Sequence, residues 1–108
     1  MPLPPLTPLQ FVVLEALLDG DRPGREIRDH LASRRIKKSG PAFYQMMARL
    51  EDAKFVNGRY DEKVIGGQMI RERHYQLLRD GVKAYRETVD FYRDPVLANE
   101  KRGIGYAR

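Results

Sequence analysis

A mainly α fold with one small β-hairpin, α+β in class, is predicted by three observations. Residues 39–51, Ser-Gly-Pro-Ala-Phe-Tyr-Gln-Met-Met-Ala-Arg-Leu-Glu, have the periodicity of a two-faced helix. Residues 55–60 and 73–77 alternate in the manner of strands, with Gly66-Gly67 between them. Apolar-periodic stretches at 8–19 and 79–93 frame the whole. At 108 residues, 42% of them hydrophobic, the chain can build one modest core.

Residues 1–6 read as a proline-rich arm, after which Thr7-Pro8 supplies an N-cap with proline at the first helical position. The first helix is expected to run over 8–19 and to end at Gly20. Leu9, Val12, Val13, Ala16 and Leu17 fill one side of it; Phe11, Leu14 and Leu18 fill the other. A helix apolar on both sides is buried on both. A small chain cannot easily wrap one of its own helices, so the second face is expected to meet another subunit, with burial inside the monomer as the alternative.

After the turn at 21–24, a short helix over 25–33 offers Ile27 and Leu31 to the core. Arg34, Arg35, Lys37 and Lys38 then lead into Ser39, a good cap for the third helix. At about 100° per residue, Phe43, Met46, Met47, Leu50 and Ala53 share one side of that helix. Tyr44, Gln45, Ala48 and Arg49 share the other, so one face anchors while the other can touch a groove-sized ligand. Its polar and basic groups lie in the first two turns, the end that a helix-turn-helix protein offers to base edges. Residues 61–71 are expected to form a long, mobile hairpin tip near which Arg59, Lys63, Arg71 and Arg73 gather. The closing helix, 79–93, carries Val82, Tyr85, Val89 and Tyr92 at 3-4-3 spacing, a two-heptad seam suited to a dimer interface or to packing on the domain itself. Asp94-Pro95 stops it, and residues 94–108 are expected to be a flexible tail.

The net charge is +5, and residues 34–75 hold ten Lys or Arg against five Asp or Glu, so the whole formal excess lies in this segment. With a pI near 9.7, that asymmetry points to a polyanionic partner. The absence of cysteine excludes disulfides and thiolate metal sites. No apolar run nears the roughly 18 residues of a spanning helix, and residues 1–6 lack the pattern of a signal peptide, which together suggest a soluble protein of the cytoplasm. His30 and His74 have no metal-ligand spacing, Ser33 and Ser39 have no nucleophile elbow, and the Gly-Gly pair lacks the lysine and context of a phosphate loop. The expectation is therefore a non-enzyme without cofactor or metal.

On these residues the chain resembles the PadR-like winged-helix transcriptional regulators. Their leucine-rich first helix, Gly, and then Gly-Tyr-Glu-Ile is similar to Leu17-Leu18-Asp19-Gly20 followed by Gly24-Arg25-Glu26-Ile27. Their Ser-Pro-Gly-Thr-Leu-Tyr-Pro-Ala-Leu-x-Arg-Leu-Glu is similar to Ser39 through Glu51, with Tyr44, Arg49, Leu50 and Glu51 identical. Gly66-Gly67, Arg73, His74-Tyr75, Leu77 and Gly81 resemble the family's last motif. The chain departs from the family where Gly40 and Pro41 are inverted, where Arg25 replaces tyrosine, where Lys54 replaces glycine and where Leu78 replaces threonine. The resemblance spans residues 7–93 and implies a winged helix-turn-helix domain over 7–78 and a C-terminal dimerisation helix over 79–93. It also implies a homodimeric repressor of double-stranded DNA, in some members released by a small aromatic effector.

The residues expected at base edges are Tyr44, Gln45 and Arg49; those expected at phosphates are Arg35, Lys37, Lys38, Ser39, Arg59, Lys63, Arg71 and Arg73. Phe11, Leu14, Leu18, Val82, Tyr85, Val89 and Tyr92 are expected in the dimer interface. A nucleoid-associated cytoplasmic location follows from that reading. The competing reading is a protein-interaction module whose seam binds a different chain.

Overall fold

The computed structural model describes residues 3–93, so the expectation for the 94–108 tail lies outside the described residues. Thr7 caps α1 (Pro8–Glu15) with a reciprocal box: its hydroxyl accepts from the Gln10 N–H, and its own N–H donates to the Gln10 side chain. Such a box stabilises a helix start by about 1 kcal/mol. The helix gives way to turns after Glu15, four residues short of the expected end, and the chain reverses at Gly20 with φ +146.

The expected 21–24 turn contains a two-residue strand, β1 (Arg22–Pro23), whose brevity and proline hid it from the sequence pattern. The chain then runs into α2 (Gly24–Ser33) and α3 (Gly40–Asp52), the latter capped by Ser39, whose hydroxyl accepts from the Ala42 N–H at 3.3 Å. Two ten-residue strands follow, β2 (Val56–Ile65) and β3 (Gln68–Leu77), and α4 (Arg79–Arg93) ends the described chain. The sheet is antiparallel in the order β1-β3-β2.

The hairpin is longer and tighter than its alternation suggested. Pairing runs unbroken from Val56↔Leu77 to Ile65↔Gln68, so the expected long tip is instead paired strand closed by two residues, Gly66 and Gly67. Their φ values of 59 and 78 are those of a primed turn, which glycine adopts without cost and which matches strand twist.

Leu14, Leu17, Ile27, Leu31, Phe43, Met47, Leu50, Val56 and Tyr75 are the fully buried centre of the core. Two expectations fail here. Leu6, assigned to the arm, is buried in the core, and Leu14, assigned to the dimer interface, is wholly enclosed by its own chain. The first helix is thus the central one, covered by α2 on one side and α4 on the other. Ala53, assigned to the anchored side of the third helix, caps it in solvent.

Along α4 the buried positions are the small ones, Gly81, Ala84 and Thr88. A Cβ at Gly81 would overlap the Phe55 carbonyl, and Thr88 satisfies its buried hydroxyl on the Ala84 carbonyl at 2.8 Å. The helix therefore lies close against the domain on its small residues. Val82, Tyr85 and Val89 are left half-buried and Tyr92 exposed.

Candidate nucleic-acid interface

The third helix divides as its periodicity requires. Phe43, Met46, Met47 and Leu50 are buried, while Tyr44, Gln45, Ala48 and Arg49 face solvent. Burying the apolar side locks the rotation of the helix, so the solvent side presents a fixed set of groups. The Tyr44 ring is held edge-on by Phe43 at 5.0 Å, and its hydroxyl lies over Gly24, where a Cβ would come within 2.8 Å of it.

The basic run before this helix is divided by its surroundings. Arg34 is drawn to Glu15 at 2.8 Å, and Ile36 packs on the core. Arg35, at φ 63, and Lys37 are exposed; Lys38 is half-buried, with its carbonyl accepting from Arg28 at 3.2 Å. Among the described residues, Arg35, Lys37, Lys38, Arg49 and Lys63 form no ion pair.

The hairpin arginines differ from this. Arg59 is paired with Asp21 at 2.9 Å, and Arg73 with Glu51 at 2.7 Å. Burial works against the Arg73 cation, but the adjoining Glu51 carboxylate outweighs it and raises its pKa. Arg73 also lies 4.8 Å from the Tyr60 ring centre and 5.9 Å from that of Tyr75. Burial, opposed by Arg73 and reinforced by Glu51, pushes the Tyr75 hydroxyl up to about 12. Gly58 completes the junction, since a Cβ there would sit 2.6 Å from Glu51 Oε1 and 2.8 Å from the Arg73 guanidinium. The end of α3 is thereby bolted to the hairpin, and Arg73, expected at a phosphate, instead positions it. Arg71 keeps its charge at the surface, stacked 4.0 Å over Tyr60.

Between helix and hairpin opens a cleft of about 530 Å³, with Tyr44, Ala48, Tyr60, Arg71 and Arg73 in its walls. Tyr60 was missed from the sequence, although the register pairs it with Arg73; Glu51 was noted as a motif match without a role. Arg25 reaches Glu72 at 3.2 Å, tying α2 to the same hairpin. His74 lies 3.5 Å from both Asp61 and Glu72, and no group of side chains among the described residues could hold a metal ion.

The expected dimer residues scatter. Phe11 and Tyr85 stack on each other at 4.4 Å within the chain, beside an open cleft of about 490 Å³ lined also by Leu6, Val89 and Tyr92. Leu18 is 47% exposed and lies outside that cleft, and Leu14 is inside the core.

A helix-turn-helix whose second helix is backed by a core and followed by an antiparallel hairpin defines a winged helix. The particular version is PadR-like. A PadR family transcription regulator from hypervirulent Clostridium difficile R20291 superimposes with a TM-score of 0.71 at 17% identity, over 93% of this chain and 98% of that one. Bacillus subtilis PadR in complex with operator DNA gives 0.65 at 19% identity, over 79% of this chain and 48% of the longer relative. A PadR family regulator from Eggerthella lenta gives 0.69 at 18%, over 93% and 82%. At these identities the likeness is one of fold. No protein-family model matches the sequence, and no curated protein does.

Proposed function

We propose that the protein is a sequence-specific, double-stranded DNA-binding transcriptional regulator, a homodimeric repressor working in the cytoplasm at the nucleoid. One observation carries the reading: the polar face of α3 is accompanied by cations that have no carboxylate partner, Arg35, Lys37 and Lys38 before it and Arg71 on the hairpin face that shares its cleft, with Lys63 on the other face of the hairpin. A phosphate that meets a free cation breaks no ion pair to do so. Tyr44, Gln45 and Arg49, exposed on this helix, are assigned to base edges, and Ser39 at its start to a phosphate. Arg59 can reach phosphate only by leaving Asp21. The operator-bound relative supports this assignment by its fold. None of the described helices is long and apolar enough to cross a membrane.

The test is duplex binding as a function of salt. A dimer that neutralises several phosphates is expected to show a log-log slope steeper than about −4, from roughly 0.9 per phosphate neutralised. A protein-interaction module would show no low-salt duplex binding. Gln45→Ala should relax preference at one base position per half-site and spare non-specific binding. Dimerisation is assigned to the α1–α4 cleft, where Phe11, Tyr85, Val89 and Tyr92 supply apolar surface, with Val82 outside the cleft on the same helix, and the same cleft is where a small aromatic effector would sit. Val89→Asp should give a folded monomer by sedimentation and circular dichroism, with weakened specific binding. A variant that stays dimeric would remove the cleft from the interface.

A further inference from the structure

A separate cleft of about 330 Å³ opens between α2 and the segment that leads into α3. That is the small end of the range for ligand pockets, roughly 300–1,000 Å³. Its floor is apolar: Leu31 is buried in the core, Ile36 packs on it, and Ala32 lies beside them. Its walls carry Arg28, Lys37 and Lys38, none of which has a carboxylate partner among the described residues. Arg28 is held in place all the same. Its Nη2 donates to the Lys38 carbonyl at 3.2 Å, and its guanidinium lies 5.9 Å from the Phe43 ring centre.

Charge and size indicate the occupant. Lys38 is half-buried and still has no counter-ion, which is a place for an anion. Arg25 also lines the cleft but is engaged by Glu72 at 3.2 Å, and Asp29 is the one carboxylate in the walls among the described residues. Three cations without partners against Asp29 leave an excess of two positive charges. The phosphates of a duplex are diesters with one charge each, joined to sugar on both sides. A diphosphate instead concentrates its charge on one compact group, and its oxygens match the fork of a guanidinium. The floor offers no hydrogen-bonding side chain, so recognition falls on the diphosphate, whatever is attached to it.

We infer that this cleft binds a diphosphate group, free or at the end of a nucleotide, and that its occupant competes with duplex DNA for Lys37 and Lys38. The binding stands apart from the DNA-binding reading above; the competition rests on it. Filling the cleft neutralises the cations that precede α3, and the protein leaves DNA without any ligand entering the α1–α4 cleft.

The test titrates the intact protein with pyrophosphate, ADP and sulfate at constant ionic strength, followed by calorimetry. Pyrophosphate is expected to bind about tenfold more tightly than sulfate, the gain from one additional hydrogen bond between charged groups. Lys38→Ala should remove about tenfold of that affinity. It should also keep the wild-type circular dichroism, because Arg28 uses only the main-chain carbonyl of Lys38. Arg28→Lys, which keeps the charge and loses the fork, should weaken pyrophosphate more than sulfate. Lys63→Ala removes a cation that also has no carboxylate partner, but from the hairpin, and should leave pyrophosphate affinity within about twofold. ADP binding more tightly than pyrophosphate would make the source a nucleotide; weaker binding would make it the free anion. Pyrophosphate that binds no better than sulfate overturns the inference, and so does a Lys63→Ala loss equal to that of Lys38→Ala, the mark of diffuse charge. Pyrophosphate should also release a labelled duplex from the wild type over the range in which it binds, and binding without release overturns the competition. A protein that binds pyrophosphate but no duplex overturns the proposed function and leaves the diphosphate site standing.

Discussion

On the α3–hairpin side, tyrosines alternate with arginines: Arg71 and Arg73 lie against Tyr60, and Glu51 grips Arg73 over a glycine that leaves it room. On the α1–α4 side, Phe11 and Tyr85 stack ring on ring beside an open apolar cleft, with Arg93 and with Glu15, which is bound by His30 and Arg34, at its edge. The two sides share one core. One is finished with cations, some bolted and some free; the other is finished with half-covered hydrocarbon. Each finish suits a different partner, phosphate in the first case and apolar surface in the second. The bolted arginines show that a surface charge can be structural while its neighbour is available.

The largest effect should come from what both sides rest on. Leu14→Ala is expected to lower stability by about 2–5 kcal/mol in denaturant titration, the range for an enclosed leucine. Leu18→Ala, in the turns that follow the same helix and exposed, should change it by under about 0.5 kcal/mol. A reversed order would return Leu14 to an interface and undo the contrast drawn above.

Next comes the bolt itself. The folded Tyr75 pKa, about 12, lies above its ordinary value of 10.0, so its contribution is full below pH 10 and is lost as pH rises through 12. Two units correspond to about 2–3 kcal/mol. The wild type should therefore lose stability over that window more steeply than Tyr75→Phe, as followed by denaturant midpoints at pH 9 and above. Parallel pH profiles would mean that the hydroxyl is not held neutral.

Gly58→Ala should cost about 1–3 kcal/mol, because the new methyl must displace Glu51 or Arg73. In a Glu51→Ala background most of that cost should vanish, a coupling readable in a double-mutant cycle. Additive costs would show that the hairpin tolerates the methyl by another route.

The smallest effect distinguishes free from bolted charge. Lys37→Ala should make the salt slope of DNA binding shallower by roughly 0.9 for each phosphate no longer neutralised, with no change in stability. Arg73→Ala should act the other way round, chiefly on stability. Equal slope changes would erase the distinction between the two kinds of cation.

Periodicity made the α3 faces legible because that helix is buried along a single stripe. It misplaced Leu14 because a helical wheel shows that a helix is apolar all round without showing who surrounds it, and here α2 and α4 of the same chain do. The Gly-Gly pair carried the signal of a two-residue hairpin, but Val64, Ile65, Met69 and Ile70 beside it break polar alternation, so strand read as loop. The seam on α4 was read from its large residues, whereas contact with the domain is made by Gly81, Ala84 and Thr88, whose small size is what permits it. The clustering of cations over residues 34–75 was readable from sequence. Which arginines were bolted was not, because Glu51 and Arg73 are brought together only by the fold.

The unbroken ladder from Val56↔Leu77 to Ile65↔Gln68 also limits how this gene can change. Deleting the codons of two adjacent rungs together, Glu62 and Lys63 with Ile70 and Arg71, would shorten the hairpin and leave every remaining side chain facing as before. Deleting the Glu62 codon alone would turn over all that lies outboard on that strand and carry Val64 away from Met69 to the opposite face. Wing length is thus open to change in paired steps, and the reach of the hairpin can vary far more readily than the face it shows.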